Sequence, residues 1–292
     1  MVILTISPTF EGVDTDSLFV NVEDFILAHG IPKDKWLSLP LDKQVDIVLR
    51  ISKCLENHVD SNALTITQLG TYNSTVTDFS INFKQEIVCK TALFVAKKKY
   101  GYHLVNKEGK KEDKIDVTGL EMIRSETPTI FKPALTHVLE MILKGSSDED
   151  IKKVVEDYKE SQKHANIEDL SVNIGVRNLT KYIVNNTCVK GTPYNVKGAF
   201  NYEYLLREFG IYNKYEHIKE GEKLKLIYVK RNRFGVNNIG FYEWPEEFTK
   251  EGIQHDYHKQ TEKFFVGKVS MLLEPQNRES ILTMSKNMDV WF

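Results

Sequence analysis

The sequence has few cysteines. Its 292 residues include only Cys54, Cys89 and Cys188, and no two of them form a CxxC pair. An odd number of widely separated cysteines fits neither a disulfide framework nor the ligand spacing of a structural zinc site. The sequence therefore predicts a protein that is stabilised by its hydrophobic core in a reducing compartment such as the cytoplasm.

Long apolar runs are also missing. A membrane-spanning helix needs about 20 apolar residues in succession, and no stretch of this chain approaches that length. The apolar segment Met1–Phe10 contains Pro8 and no basic leader, so we expect a β-strand there and not a signal peptide. We therefore predict no membrane partner.

Neither sign of charge dominates, because 39 Lys and Arg residues face 41 Asp and Glu residues. Hydrophobic residues make up 41% and charged residues 27%, which is typical of a globular protein long enough for two domains. Seven lysines and three acids lie between Lys97 and Lys114. This run is either a basic surface that follows a phosphate backbone or simply a solvated face.

Hydrophobic periodicity predicts a strand-rich first part and a more helical second part. In the first part we expect strands at 4–9 and 18–22 around a turn at 11–16, a helix at 41–59, a loop within 60–80, strands at 79–83, 87–88 and 93–95, and a β-hairpin around Gly109. In the second part we expect helices at 135–143, at 148–164, near 202–209 and near 256–273, and strands near 224–229 and 238–244. The first of these helices is expected to end near Gly145.

The predicted fold class is α+β. A partial antiparallel sheet with packed helices is followed by a mixed, largely helical domain. We place the boundaries after residues 124 and 280, which gives domains at 1–124 and 125–280 and a tail at 281–292.

The segment Gly12–Val20 contains two carboxylates, Asp14 and Asp16, separated by one residue. In an extended chain both point to one face, and at a hairpin turn they project together from a sheet edge. Mg²⁺ prefers such hard oxygen ligands, and two Mg²⁺ ions can act on the attacking and leaving oxygens of phosphoryl transfer. The triplet alone is also common in turns and helix caps, so both interpretations stay open at this point.

Two segments carry a resemblance to a known family. DTDSLFV at 14–20 resembles the palm motif of family-B DNA polymerases. KKKY at 97–100 is similar to the KKRY-type segment of the same family, which lies along the minor groove of the primer–template duplex. Lysines there can donate to acceptors that every base pair presents, whatever the sequence.

Further segments in the same order extend this resemblance. Phe83–Glu86 resembles the family strand that carries a glutamate near the metals, and 115–128 resembles the passage from palm to thumb. Thr192–Tyr202, 220–224 and 240–245 resemble the thumb of phage replicative polymerases. The resemblance implies the C-terminal part of a phage-type enzyme, with palm residues at 1–124 and the thumb at 125–280.

The sequence also departs from the family pattern. Val13 stands where the family usually has glycine, and Lys99 replaces an arginine of many relatives, which loses the planar guanidinium. No DxxSLYPS-like palm segment, KxxxNSxYG-like fingers helix or exonuclease signature is found in the 292 residues. One carboxylate cluster cannot hold two ions, so the resemblance implies a split polymerase, inactive without an N-terminal partner chain, in a phage-infected bacterial cell.

The resemblance assigns roles at the metal site. Asp16 is expected to be the principal Mg²⁺ ligand, and Asp14 a second acid that supports it. Glu86 either tunes this site through the groups that surround the ligands or is an ordinary strand residue.

The resemblance also suggests DNA contacts. Lys98 and Tyr100 are expected to meet the primer-terminal base pair, and Lys97 and Lys99 the phosphates. The alternative for Tyr100 is that it only packs against the sheet. Candidates for contact between the thumb and the duplex backbone are Lys181, Lys190, Lys197 and Arg207.

The chain ends on apolar groups, Met288, Trp291 and Phe292, after a polar stretch. This ending resembles the peptide with which such polymerases bind a sliding clamp, and aromatic anchors often dominate contacts of this kind. The alternative is a tail that packs on its own domain.

The resulting prediction is a subunit of a DNA-directed DNA polymerase that acts on primer–template DNA and dNTP. A non-catalytic, duplex-binding processivity subunit is one alternative. An unrelated structural protein of two domains is the other.

Overall fold

The computed structural model describes residues 2–5, 13–14, 17–71 and 84–282. The chain divides after Thr118 into two compact units, called unit 1 and unit 2. The sequence placed its boundary after residue 124. The difference arises because the 3₁₀ turn Glu121–Ile123 contacts the first long helix of unit 2, and because Thr127 Oγ1 donates a hydrogen bond of 2.7 Å to the Glu121 carbonyl.

Unit 1 combines a sheet with three helices in its described ranges. Its elements are β1 Val2–Thr5, β2 Val13–Asp14, β3 Ser17–Asn21, α1 Glu23–Ala28, α2 Lys33–Ser38, α3 Leu41–Thr71, β4 Gln85–Ala96, β5 Lys99–Lys107 and β6 Lys110–Thr118. The strand order is β2-β3-β1-β4-β5-β6. Strand β1 runs parallel to both β3 and β4, whereas the other neighbours are antiparallel.

The two faces of this sheet have different neighbours, because successive side chains of a strand point to opposite sides. On one face, Val88 and Val105 belong to a core with Val22, Trp36 and residues of α1 and α3. On the other face, Phe19, Ile87, Cys89 and Leu104 form a separate core bordered by aromatic side chains. Burial raises the pKa of the Cys89 thiol to about 12, so this cysteine is an unreactive core residue.

Helix α3 is longer than the sequence predicted. The expected helix ended at residue 59, but the helix continues to Thr71. A loop was expected within 60–80, and residues 72–80 of that segment lie outside the described residues. Several residues beyond Val59 have low helix propensity, but adding a residue to an existing helix costs far less than starting one. The strand predicted at 79–83 lies outside the described residues.

Two tight hairpins join β4, β5 and β6. Lys107 pairs with Lys110 across the turn Glu108-Gly109, whose φ angles are 49° and 84°. The predicted hairpin is therefore confirmed, with a shorter turn of the kind that suits twisted strands. The hairpin between β4 and β5 was not predicted, because three successive lysines lack the usual glycine or asparagine signal of a two-residue turn.

Unit 2 contains helices and two small sheets. Its elements are α4 Phe131–Lys144, α5 Asp148–Ser161, α6 Ile167–Leu170, β7 Val172–Gly175, α7 Leu179–Tyr182, β8 Ile183–Val184, β9 Thr187–Cys188, α8 Tyr194–Glu208, β10 Lys223–Tyr228, β11 Asn238–Phe241, α9 Glu246–Lys250, α10 Tyr257–Thr261, a π-helical turn Glu262–Val266, α11 Gly267–Leu273, and 3₁₀ turns Glu274–Gln276 and Glu279–Leu282. Strands β11, β10 and β7 form an antiparallel sheet, and β8 pairs with β9. The predicted α+β class is confirmed.

The helices α4 and α5 form an antiparallel hairpin whose ends follow from the sequence. Gly145 takes the left-handed conformation (φ 76°) that ends α4. Ser147 then caps α5, because its Oγ accepts a hydrogen bond from the Asp150 amide. Phe131 of α4 stacks on Phe265 at 5.3 Å, which attaches the helical segment after α10 to this hairpin.

Helix α8 lies directly against β11 at two glycines. A Cβ atom added to Gly198 would overlap Leu226 Cδ1 and lie 3.1 Å from the Gly240 amide nitrogen. A Cβ added to Gly240 would lie 3.2 Å from the Ala199 amide nitrogen. Only glycine permits this close approach, so Gly198, within the thumb-like motif at 192–198, is a packing residue.

We predict that Gly198→Ala lowers the free energy of unfolding by about 1–2 kcal/mol. Overpacking costs about 1–3 kcal/mol and exceeds the gain of about 1 kcal/mol from replacing a helical glycine. Denaturant unfolding monitored by near-UV circular dichroism measures the change. Gly175→Ala is the matched control, because a Cβ there meets no atom within 4 Å. Equal stability of the two variants would contradict the packing role.

Candidate functional site

The acidic segment lies at the edge of the sheet where β1, β3 and β4 all begin. Asp14 pairs with Ser17 across the two strands β2 and β3. The parallel ladders align Val2 with Leu18 on one side and with Gln85 on the other. The Asp14 side chain and all of Asp16 lie outside the described residues.

Glu86 is located at the same edge, at a bulge. Val2 pairs with Gln85 and Ile3 with Ile87, so Glu86 is the extra residue of β4. Three strand spacings separate β4 from β2, a distance of about 14 Å. That distance is too long for the carboxylates of Glu86 and Asp14 to share one ion. The role of Glu86 through the groups that surround the ligands stays a prediction.

The start of β4 is attached to α3 by a partly buried acid. Glu56 Oε1 accepts a hydrogen bond of 2.6 Å from the Gln85 amide, and Lys53 lies 3.0 Å from Glu56 Oε2. Burial alone would raise the pKa of Glu56, but the Gln85 hydrogen bond and the charges of Lys53 and Lys84 outweigh it and lower the pKa. The ionised Glu56 thus fixes the backbone position of the residue before Glu86.

The lysine segment is a turn followed by a strand. Ala96 pairs with Lys99, so the exposed Lys97 and Lys98 form the two-residue connection between β4 and β5. Lys98 has a positive φ of 59°, which is uncommon for a side chain of this type. Lys99 and Tyr100 begin β5 and are half-buried. The four residues therefore do not form one uniform surface.

Aromatic rings join the strand after the acidic motif to the lysine segment. The Phe19 ring lies 4.9 Å from that of Phe94 and 5.1 Å from that of Tyr100, both edge to face. Phe94 and Tyr100 are also cross-strand partners. We call Phe19, Phe94, Tyr100 and Tyr102 the aromatic cluster. Tyr100 packs against the sheet, and its half-buried ring still reaches the surface, so both interpretations of Tyr100 stay predictions.

This contact requires β4 to bend. Phe19 is level with Ile87, since both pair with Ile3. Phe94 is seven residues further along β4, which in a straight strand means about 23 Å. Register shifts in the β4–β5 ladder between Val88 and Cys89 and between Cys89 and Ala92 lie within this stretch, and such irregularities allow a strand to bend. Sequence reasoning missed Phe19 and Phe94 as site residues, although aromatic residues at 94, 100 and 102 on adjoining strands were a usable signal.

In unit 2, three of the four candidate basic residues lie around the β8–β9 hairpin. The Val189 amide donates a hydrogen bond to the Tyr182 carbonyl, and Lys181 and Lys190 are the chain neighbours of these two residues. Burial raises the pKa of the Cys188 thiol, and the nearby charge of Lys197 acts to lower it. All three lysines are exposed. Arg207 is about 15 Å further along α8, where its guanidinium donates to the Tyr212 hydroxyl at 3.2 Å.

Among the residues that the structure describes, no group of three or more His, Cys, Asp and Glu side chains could hold a metal ion. None of the helices in the same ranges combines the length and apolar character that a membrane span requires. The predicted clamp-binding residues Met288, Trp291 and Phe292 lie beyond residue 282, outside the described residues.

The chain matches the sequence model of DNA polymerase family B over residues 54–275. This match covers most of the 292 residues, so the chain belongs to DNA polymerase family B. The matched region includes the lysine segment and most of unit 2, and it begins after Asp14 and Asp16. A comparison with curated proteins gave no significant match.

We predict that Glu56→Gln destabilises the protein by about 1–2 kcal/mol at pH 7, because a charge-assisted hydrogen bond is replaced by a neutral one. The pKa of Glu56 is lowered in the folded protein. Its contribution is therefore present above the unfolded pKa of about 4.3 and is lost as the pH falls through the folded value. Urea midpoints at pH 7, 5 and 3.5 should converge at low pH. A difference that stays constant with pH would contradict this role. Asp157→Asn, at an exposed position of α5, is the control.

We predict that Tyr100→Phe keeps the stability of the protein, whereas Tyr100→Ala lowers it by about 2 kcal/mol, less than the loss for a fully buried ring. The phenylalanine retains the ring contacts with Phe19 and Phe94, and alanine removes them. Denaturant unfolding gives both values. Tyr204→Ala serves as the control, because Tyr204 is 37% exposed. A Tyr100→Ala protein as stable as this control would show that the cluster contributes little.

Proposed function

We propose that this chain is the C-terminal part of a split, phage-type DNA-directed DNA polymerase. It supplies part of the palm (1–124), the thumb (125–280) and a tail (281–292) for template-directed nucleotidyl transfer. The observation that carries the proposal is the contact between Phe19 and Tyr100. It joins the strand that continues the DTDS motif to the KKKY segment within one sheet, as a shared polymerase centre requires.

In this proposal Asp16 is the principal ligand of Mg²⁺, and Asp14 supports it. When bound, the metal ions stabilise the attacking oxygen and the leaving pyrophosphate. The donor chemistry suits this role, because carboxylates are preferred Mg²⁺ ligands. Glu86, on a strand three spacings (about 14 Å) from that of Asp14, influences the site only through intervening groups.

The lysine segment and the thumb hold the primer–template duplex. Lys98, at the tip of the β4–β5 hairpin, and Tyr100 approach the primer-terminal base pair, while Lys97 and Lys99 contact phosphates. Lys197, with Lys181 and Lys190 around the β8–β9 hairpin, contacts the duplex backbone. Such contacts position DNA and do not read its sequence, which suits an enzyme that copies any template.

The missing parts of the active site come from an N-terminal polymerase chain. That partner contributes the exonuclease, the fingers that bind the incoming dNTP, and the second palm carboxylate, for which the 292 residues contain no matching segment. Met288, Trp291 and Phe292 bind a sliding clamp. The setting is the cytoplasm of a phage-infected bacterium.

We expect primer extension with Mg²⁺ only when this chain is mixed with a partner that carries the missing motifs. Asp16→Ala in the mixture should reduce synthesis by about 10³-fold or more, because loss of a metal ligand removes several kcal/mol of transition-state stabilisation. Asp34→Ala, on the exposed surface of α2, is the matched control and should leave synthesis unchanged.

The same assay separates the proposal from its alternative. Undiminished synthesis by the Asp16→Ala mixture would remove the catalytic assignment. Tight duplex binding without synthesis in any mixture would instead favour a non-catalytic processivity subunit. Tyr100→Phe tests the primer contact, because reduced synthesis with unchanged stability isolates the hydroxyl group.

A further inference from the structure

A cavity of about 440 Å³ lies in unit 2, between the end of α5, the end of β10 and the segment from Trp244 to Tyr257. Pockets for small ligands span about 300–1,000 Å³, so the cavity can hold one nucleotide. Apolar and aromatic groups line part of it, and basic and neutral polar groups line the rest. The described residues that line it include no carboxylate; they are Lys163, Ile167, Lys230, Trp244, Thr249, Ile253, Gln254, His255 and Tyr257.

The indole of Trp244 is held in place by its neighbours. Its Nε1–H donates a hydrogen bond of 3.0 Å to Thr249 Oγ1. Its ring packs edge to face on Phe241 at 5.2 Å and on Phe248 at 5.5 Å. Both phenylalanines are fully buried. A flat aromatic wall is therefore in position before any ligand binds, and ordering it costs little entropy on binding.

The basic side of the cavity is held equally firmly. The Lys230 amide donates to the Gln254 carbonyl at 2.8 Å, and Val229 forms a β-bridge with His255. The ammonium of Lys230 lies 3.4 Å from the neutral Gln254 Oε1, whereas that of Lys163 is paired with Glu160 at 2.6 Å. The charge of Lys230 thus faces the cavity beside a neutral acceptor and is suited to an anion.

We propose that this cavity binds one unpaired nucleotide of a nucleic-acid strand, with its base against Trp244 and its phosphate at Lys230. The chemistry of the walls favours this ligand, since a planar ring that carries a negative charge matches an aromatic wall beside a lysine. Stacking and a phosphate contact tolerate any base, so the site has no sequence preference. A paired duplex does not present an unstacked base, and single-stranded DNA near a polymerase does. The inference rests on the proposed function, because that function brings single-stranded DNA close to the chain.

Fluorine NMR of the full chain labelled with 5-fluorotryptophan tests the site directly. The chain has three tryptophans; Trp36 is fully buried in unit 1, and Trp244→Phe identifies the signal of Trp244. A short oligo-dT should shift the Trp244 signal saturably and leave that of Trp36 unchanged. Lys230→Gln should weaken the binding about tenfold, the usual effect of losing a charged hydrogen bond. Lys153→Gln, on the exposed side of α5, should not.

Each outcome decides between alternatives. An unchanged Trp244 signal, or an equal shift with a blunt-ended hairpin duplex, overturns the proposal. A shift with an apolar peptide and none with oligo-dT also overturns it and assigns the cavity to protein docking. Primer extension by the same protein, mixed with the N-terminal partner chain, separates the test of this site from the test of the proposed function. Extension without an oligo-dT response refutes this site alone, and absence of both refutes the proposed function as well.

Discussion

The edge-to-face contact of Phe19 with Phe94 and Tyr100 is the interaction on which the arrangement of unit 1 depends. Without it, the lysine hairpin, ten residues beyond Ile87, would lie at the far end of a straight β4, about 33 Å beyond Phe19. Bulges make the bend possible, and the aromatic rings stabilise it, because each such pair contributes about 0.5–1.5 kcal/mol beyond burial of its surface. Phe19 and Tyr100, which are 81 residues apart in the sequence, are thereby held together.

The period-two alternation of strands then separates structural and functional roles between the faces of the sheet. Val88 and Val105 face the helices and belong to a closed aliphatic core around Trp36. Their neighbours Cys89 and Leu104 face the aromatic cluster, whose tyrosines are only half-buried. Burial, together with the carboxylate of Asp116, raises the pKa of Tyr102, so its hydroxyl remains a neutral donor on that face.

The sequence predicted those features that depend on local periodicity. The helices α4 and α5, with Gly145 between them, have the expected positions because an apolar stripe, a left-handed glycine and a serine cap coincide there. It did not predict the hairpin at Lys97 and Lys98, because tertiary pairing of β4 with β5 imposes a positive φ on a lysine. The Phe19 contact and the cavity at Trp244 were equally hidden, since each unites residues that are distant in sequence.

The motif-like residues of unit 2 illustrate why resemblance alone does not assign a DNA contact. In the segment at 192–198, Asn195 donates to the Gly175 carbonyl, and the Tyr194 carbonyl accepts from Asn238. Gly198 is required by the close approach of α8 to β11. These residues are used to build the fold. Of Tyr194, Asn195, Lys197 and Gly198, only Lys197 carries an exposed charge. Any duplex contact made by these four residues therefore depends on this lysine, and the other three hold its helix in place.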